Sequence, residues 1–506
     1  MSLLSVSHLR FGYEGSYTMI FDDLSLSLDT NWRLGLIGRN GRGKTTLLKL
    51  LMGWESYEGE ISASVDFDYF PFSPPDLSVD TLSVVDMVCR EYEYWRLVRE
   101  LSLLQVDEQV LYRPFGTLSF GERTKVLLAA LFLNENHFLL IDEPTNHLDA
   151  VGRQLLGNYL AGKKGFILVS HDRDLLDSCI DHVLVLNRKT IEVQSGNFSS
   201  WWENKQRKDQ FAITEDEKHR KEIKKLKQAA RRTSEWADKS ERTKIGFDPI
   251  KEHDRSVGTR SFIGAKTKKM QSRVKQIEKR IGREIEEKAD LLQDLESTKD
   301  LKLTQLIHHK NTLVNITDYT LQYTGAIVPV FTDLTLSIKR GERIALHGEN
   351  GCGKSTIIKS ILQKSGFGDV GTAFLEEGIC EVASGLAISY VNQDTADLRG
   401  GISEFCEEHH LDKSMFCTIL RHLDFERNQF SKNMENYSEG QKKKVLLAAS
   451  LLTPAHLYIW DEPLNYIDVF SRMQIEKLLL EFQPTLLFVE HDQAFSEKIA
   501  TRIVDL

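Results

Sequence analysis

A chain of 506 residues and 58.0 kDa is too long for one ordinary hydrophobic core and implies two or more domains. Hydrophobic residues at 41% and charged residues at 27% exclude a wholly disordered chain. The net charge of −9 alone argues against a nucleic-acid binder, yet residues 201–288 hold 26 Lys and Arg against 16 Asp and Glu, a local +10 within a remainder of −19.

Other exclusions follow from local pattern. The longest uncharged apolar run, residues 126–133, has eight residues, and a membrane helix needs about 20. The N-terminal stretch MSLLSVSHLRFGYEG has no basic start followed by an apolar block, so no secretion signal is expected. The six cysteines never fall as C-x-x-C. They read as reduced thiols of a cytoplasmic protein rather than a disulfide frame or a zinc site.

In chain order, the first element is a strand–loop–helix unit. An apolar run at 34–37 leads into GRNGRGKT at 38–45, and a helical pattern follows at 46–51. The same arrangement returns at 344–346, GENGCGKS at 348–355 and 356–362. Both loops match G-x-x-x-x-G-K-[ST] in the context a phosphate loop needs. Glycines let backbone N–H groups turn onto phosphates at a helix N-terminus. The loops supply Gly38, Asn40, Gly41, Gly43, Lys44, Thr45 and Thr46 in one half, and Gly348, Asn350, Gly351, Gly353, Lys354, Ser355 and Thr356 in the other. The two lysines are expected to reach the β/γ-phosphates, and the Thr45 and Ser355 hydroxyls to hold Mg²⁺.

More landmarks recur in register. Tyr13 and Tyr323 are 310 residues apart, as are Lys44 and Lys354. Ser119 in LSFGE and Ser438 in YSEGQ are 319 apart, Asp142 and Asp461 are 319 apart, and His171 and His491 are 320 apart. The chain is therefore an internal duplication. Its domains are expected at 1–198 and 300–506, each α/β with a largely parallel sheet, around a middle segment at 199–299.

The ordered set of phosphate loop, Ser-x-Gly signature, apolar strand ending in Asp-Glu and later strand-end histidine, present twice, resembles the ATP-binding cassette (ABC) superfamily. The resemblance implies two tandem P-loop ATPase domains. Asp142 and Asp461 contact Mg²⁺ there, with Gln393 as a further metal contact. Glu143 and Glu462 serve as general base or water-positioning group, and His171 and His491 contact the γ-phosphate or the water. Tyr13 and Tyr323 resemble the adenine platform. It further implies that each signature completes the opposite site: Lys44, Glu143 and His171 with Ser438, Gly440 and Gln441; Lys354, Glu462 and His491 with Ser119 and Gly121. Cofactors would be ATP and Mg²⁺, with the choice between ATP and GTP open. Two departures stand out. Phe72 takes the position matching Gln393, and Phe120 stands where the family usually has glycine. The sites are expected to be unequal. Outside these motifs, Cys352 is read as incidental, and His308 and His309 as solvent-exposed linker residues.

Two cassettes joined by a long charged connector resemble the ABC-F family of translation-associated ATPases. Residues 199–240 lack Pro and Gly and suit a helix of roughly 60 Å. Breakers follow at Gly246, Pro249, Gly258 and Gly264, then a stripe of Met270, Val274, Ile277, Ile281 and Ile285. A basic helical hairpin with a tip at about 241–261 is expected, its cations facing RNA phosphates and Phe247 and Phe262 placed to stack on bases. The short interval between first phosphate loop and first signature, with the extended tip, resembles the antibiotic-resistance subgroup acting against lincosamides, streptogramin A and pleuromutilins. That resemblance implies a cytoplasmic monomer with intramolecular cassette closure. Its partners would be the bacterial 70S ribosome at the exit site, large-subunit rRNA and P-site tRNA, with no DNA or membrane partner. A housekeeping ABC-F factor without a drug role, and the ATPase subunit of a transporter with a separate membrane partner, remain alternatives.

Overall fold

The computed structural model describes residues 3–13, 19–146, 148–187, 190–208, 303, 305–326, 328–349, 351–367, 374–425 and 427–506, with scattered positions at 210–235 and 265–283. By its contacts the chain divides into residues 1–201 with 298–506, and residues 202–297.

Within the larger unit each half is built around one sheet. In the first half the strand order is Asp66–Phe70, His137–Asp142, Phe166–Val169, Arg33–Gly38, His182–Leu186, Ile191–Ser195, parallel except for the last. In the second it is Ile388–Val391, Leu457–Asp461, Leu486–Val489, Arg343–His347, Arg502–Asp505, all parallel. Strands such as Phe166–Val169 and Leu486–Val489 are buried at every position. A parallel sheet covered on both faces requires such unbroken apolar runs, so they carry no alternation. A three-stranded antiparallel sheet accompanies each core: Phe21–Asp29, Leu3–Phe11, Glu58–Ser62 and Phe331–Lys339, Thr312–Tyr323, Phe374–Val382. Leu4, Val6, Leu9 and Phe21 of the first pack onto Leu34, Leu36 and Leu140 of the parallel sheet.

Helices Lys44–Leu51 and Lys354–Lys364 begin where the phosphate loops end. Gly43 and Gly353 precede them at φ 87° and 103°. A Cβ would lie 2.6 Å from an Ile20 methyl at the first and 2.6 Å from a Val330 methyl at the second. Only glycine combines that backbone with that closeness.

In the smaller unit every described residue at 202–208, 210–211, 214–235 and 265–283 is helical, and nearly all are exposed. Arg207 with Glu203 and Arg231 with Glu235 form i,i+4 pairs. The expected helical character holds at these positions. The tip at 241–261, Phe247, Phe262 and the stripe Met270, Val274, Ile277, Ile281, Ile285 lie outside the described residues.

One expectation is corrected. His309 is exposed, but His308 is buried, at 4% exposure. Its Nε2 faces the Ser384 carbonyl oxygen at 3.2 Å, and the Lys310 N–H donates to its Nδ1 at 3.1 Å. The ring also lies edge-on to His456, with centroids 5.0 Å apart. It organises the chain's entry into the second half, a tertiary role invisible in a polar stretch.

The strand carrying Asp142 also holds fully buried Leu140. Leu140→Ala is expected to cost about 2–5 kcal/mol through lost burial and a cavity, lowering the denaturant midpoint of the first half in equilibrium unfolding.

Candidate ATP sites

Each strand ending in Asp-Glu brings its carboxylates to the phosphate loop of its own half. The Thr45 hydroxyl donates to Asp142 Oδ2 at 2.7 Å, and Ser355 hydrogen bonds Asp461. Lys44 is buried. Its Nζ donates to the carbonyl oxygens of Gly38 (2.7 Å) and Arg39 (3.3 Å), and Lys354 does the same with Gly348 and Glu349 at 2.8 Å each. Paired hydroxyl and carboxylate oxygens suit Mg²⁺. Asp461 Oδ1 is buried without a hydrogen-bond partner and fits that donor set. Tyr13 and Tyr323 sit against the same helix starts, their hydroxyls 3.2 and 2.9 Å from Thr46 and Thr356.

Glu143 and Glu462 have φ of 49° and 48°, the left-handed region that non-glycine residues avoid. The kink turns each side chain onto its histidine: Glu143 Oε1 lies 3.3 Å from His171 Nε2, and Glu462 Oε1 lies 3.3 Å from His491 Nε2. Alternation along a strand suggests only that Glu points opposite Asp, so the strained backbone is a finding of the structure.

The sites differ electrostatically. Burial, then the neighbouring Asp142, pushes the Glu143 carboxyl up to about 8. Burial also raises Glu462, but the His491 hydrogen bond and charge, with the Gln393 amide, outweigh it and hold this carboxyl below its ordinary value. Glu462 Oε2 accepts from Gln393 Nε2 at 2.8 Å and from Asn465 Nδ2 at 2.7 Å. Sheet register places Phe72 where Gln393 stands: Phe70 pairs with Ile141 and Val391 with Trp460, each one residue before the aspartate and two before the compared position. The first site thus lacks this amide. Tyr69, one residue before the strand end, supplies its hydroxyl to Asp142 Oδ2 at 3.2 Å, a contact the motifs do not suggest. His171 is held well below its usual value by burial, then by Lys44 and Arg472, so its ring is neutral near pH 7.

Ser119 and Ser438 cap helices Phe120–Leu131 and Glu439–Leu452, closing capping boxes with Glu122 and Gln441. Behind Ser438, Gly440 is buried between Tyr466 of its own half and Asn40 of the opposite half. A Cβ there would lie 2.5 Å from the Tyr466 carbonyl oxygen and 3.0 Å from Asn40 Nδ2. Asn40 Nδ2 itself donates to that carbonyl at 2.8 Å. The second signature therefore abuts the first phosphate loop. On the other side, residues 149–151 line a cavity of about 270 Å³ with His347, Gly348, Lys354 and His491. Gly121 is only partly buried, and Phe120 is 62% exposed, its ring under the Arg123 guanidinium at 5.2 Å. Asn350 lies outside the described residues.

Residues 21–146 and 331–465, together just over half of the chain, match the ABC transporter family. The chain belongs to the ABC transporter family of ATP-binding domains. It is an ATPase with two tandem cassettes. The putative ATP-binding protein YdiF of Bacillus subtilis is 28% identical over all of this chain and 80% of its own length. The ribosome protection protein VmlR of the same organism is 28% identical over 97% of this chain and 85% of its own. Among solved structures, archaeal ribosome recycling factor aABCE1, in complex with ribosomal stalk protein aP1, aligns with TM-score 0.60 at 19% identity over 98% of this chain and 87% of that one. That likeness bears on the fold. No helix among the described residues is long and apolar enough to cross a membrane.

If Glu143 and Glu462 activate the attacking water, the two clefts are expected to differ in pH profile. With the second site silenced by Glu462→Gln, ATP turnover is expected to rise roughly tenfold between pH 7 and pH 9, as the ionised fraction of Glu143 climbs from about a tenth to about nine tenths. With Glu143→Gln instead, Glu462 stays ionised throughout and turnover is flat. A phosphate-release assay across that range checks both.

Proposed function

We propose that this chain is an ABC-F-type ATPase that binds the bacterial ribosome and protects it from drugs at the peptidyl-transferase centre. ATP with Mg²⁺ binds between the cassettes. Gly38, Asn40, Gly41, Gly43, Lys44, Thr45 and Thr46 cradle one triphosphate against Ser438, Gly440 and Gln441. Gly348, Asn350, Gly351, Gly353, Lys354, Ser355 and Thr356 cradle the other against Ser119 and Gly121. Thr45 with Asp142, and Ser355 with Asp461 and Gln393, hold the metal, which polarises the γ-phosphate when bound. Glu143 and Glu462 orient and deprotonate the attacking water, His171 and His491 fix the glutamates, and Tyr13 and Tyr323 face adenine.

The observation that carries the ribosomal reading is the +10 segment at 201–288, set between cassettes whose remaining sequence is net acidic. A membrane-coupled ATPase has no need of such an insertion, whereas cations on exposed helices neutralise RNA phosphates. Similarity to the ribosome protection protein VmlR spans nearly the whole chain, the basic segment included. In this reading the protein is cytoplasmic and works as a monomer. It enters the exit site, and its connector displaces drug by shifting P-site tRNA and rRNA.

Glu143→Gln with Glu462→Gln is expected to reduce turnover by at least about 100-fold and to co-sediment with bacterial ribosomes in ATP. Removing residues 241–261 is expected to abolish tolerance of lincosamides, streptogramin A and pleuromutilins in a sensitive host, with ATPase activity kept within about twofold. Undiminished tolerance after that deletion removes the tip from the mechanism. Loss of ATP-dependent co-sedimentation removes the ribosome.

A further inference from the structure

The repeat makes each contact between the cassettes comparable with its counterpart on the opposite side, and among the described residues three contacts have none. Arg173, directly after the His171–Asp172 pair, forms a two-pronged ion pair with Glu476, which is fully buried. Lys498 Nζ adds a third donor to the same carboxylate at 2.8 Å. The offsets that relate the halves place Gln493 opposite Arg173, Gly157 opposite Glu476 and Ser178 opposite Lys498. A glutamine and a glycine cannot reproduce that pair.

The second contact joins Arg39 and Arg42 of the first phosphate loop to Asp424, at 3.7 and 3.6 Å. Asp424 follows helix Lys413–His422 at φ 61°, and its counterpart after helix Tyr94–Leu103 is Gln105 at φ 52°. The arginines correspond to Glu349 and Cys352, so both the cations and the anion are missing. In the third contact the Arg39 guanidinium lies over the Phe470 ring at 5.6 Å. Its counterpart is Glu349 against Val151, which lacks both the cation and the ring.

All three contacts flank the Lys44 site. The Lys354 side instead has space. Gln154, Asn158, Ser178, Gln493 and Glu497 help to line a cavity of about 410 Å³ there, in addition to that beside Lys354. Contacts common to both sides, Arg153 with Asp172 at 3.1 Å and Arg472 with Asp492 at 3.0 Å, brace each cassette internally and do not distinguish them.

We propose that the cassettes open asymmetrically: the Arg173–Glu476–Lys498 cluster and the Arg39/Arg42–Asp424 pair keep the Lys44 site shut, so nucleotide enters and leaves chiefly at the Lys354 site. Glu476 and Asp424 are positioning residues, acting on nucleotide through the cassette interface. The proposal rests on the reading of both clefts as ATP sites. Breaking a desolvated ion pair acts mainly on dissociation, so the rate of nucleotide escape is the quantity to follow.

The test is release of a fluorescent ATP analogue from the full chain carrying Glu143→Gln and Glu462→Gln, chased with excess ATP. Two phases are expected, the slow one removed by Lys44→Ala and the fast one by Lys354→Ala. Adding Glu476→Gln, or separately Asp424→Asn, is expected to speed the slow phase by at least about tenfold and to leave the fast phase within about twofold. A general loss of folding would instead move both phases, which is why two substitutions at separate contacts are used. Equal release from the two sites, a slow phase belonging to Lys354, or equal acceleration of both phases overturns the proposal. If neither site retains the analogue, the assignment of the clefts as ATP sites fails, and the asymmetry fails with it.

Discussion

The side-chain amide of Asn40 meets the backbone carbonyl of Tyr466 over a glycine, Gly440, that has no room for a methyl group. This contact lies where the two cassettes meet at the first site. It makes the phosphate loop of one cassette and the signature helix of the other two walls of a single cleft. Buried Lys44 and Glu143 then feel charges from the opposite cassette, Lys44 from Asp468 and Lys444, and Glu143 from Arg472. Desolvation makes such cross-talk matter, because charge interactions weaken steeply once water enters.

The same desolvation separates the chemistry of the two clefts. At the second, a glutamine, an asparagine and a histidine gather on Glu462 and favour its charged form. At the first, Phe72 replaces the glutamine, and Glu143 takes a higher proton affinity. The cleft with the tighter protein–protein contacts is also the one whose glutamate is ionised less readily. Near it, the Phe470 ring lies under the Arg39 guanidinium of the phosphate loop and also packs edge-on against Trp201, with ring centroids 6.1 Å apart.

Much of this was legible in the sequence, for a physical reason. Phosphate loops, signature serines and strand-end carboxylates are local motifs, and their repetition at near-constant offsets fixed the register of one half on the other. The sheets were equally accessible, since strands buried on both faces read as apolar runs such as FILV and LLFV. The substitution of Phe72 for glutamine was visible in advance and coincides with the strand register. Long-range contacts were hidden. Nothing local marks Asp424 as a partner of Arg39 and Arg42, or Glu476 as a partner of Arg173, because each pair joins segments hundreds of residues apart. The left-handed backbone at Glu143 and Glu462 was hidden too, since glutamate is not a residue type that announces it. A histidine among polar neighbours, such as His308, reads as exposed until its backbone partners are known.

The composite nature of the clefts is tested most directly by a substitution in one cassette and a readout in the other. In a chain carrying Glu462→Gln, the remaining ATP hydrolysis belongs to the Lys44 cleft. Gly440→Ala places a methyl group against the Tyr466 carbonyl, and this account predicts a fall of at least about tenfold in that activity, with Gly121→Ala having little effect. If Gly440→Ala leaves hydrolysis intact while Gly121→Ala abolishes it, each cassette completes its own site and the account is wrong.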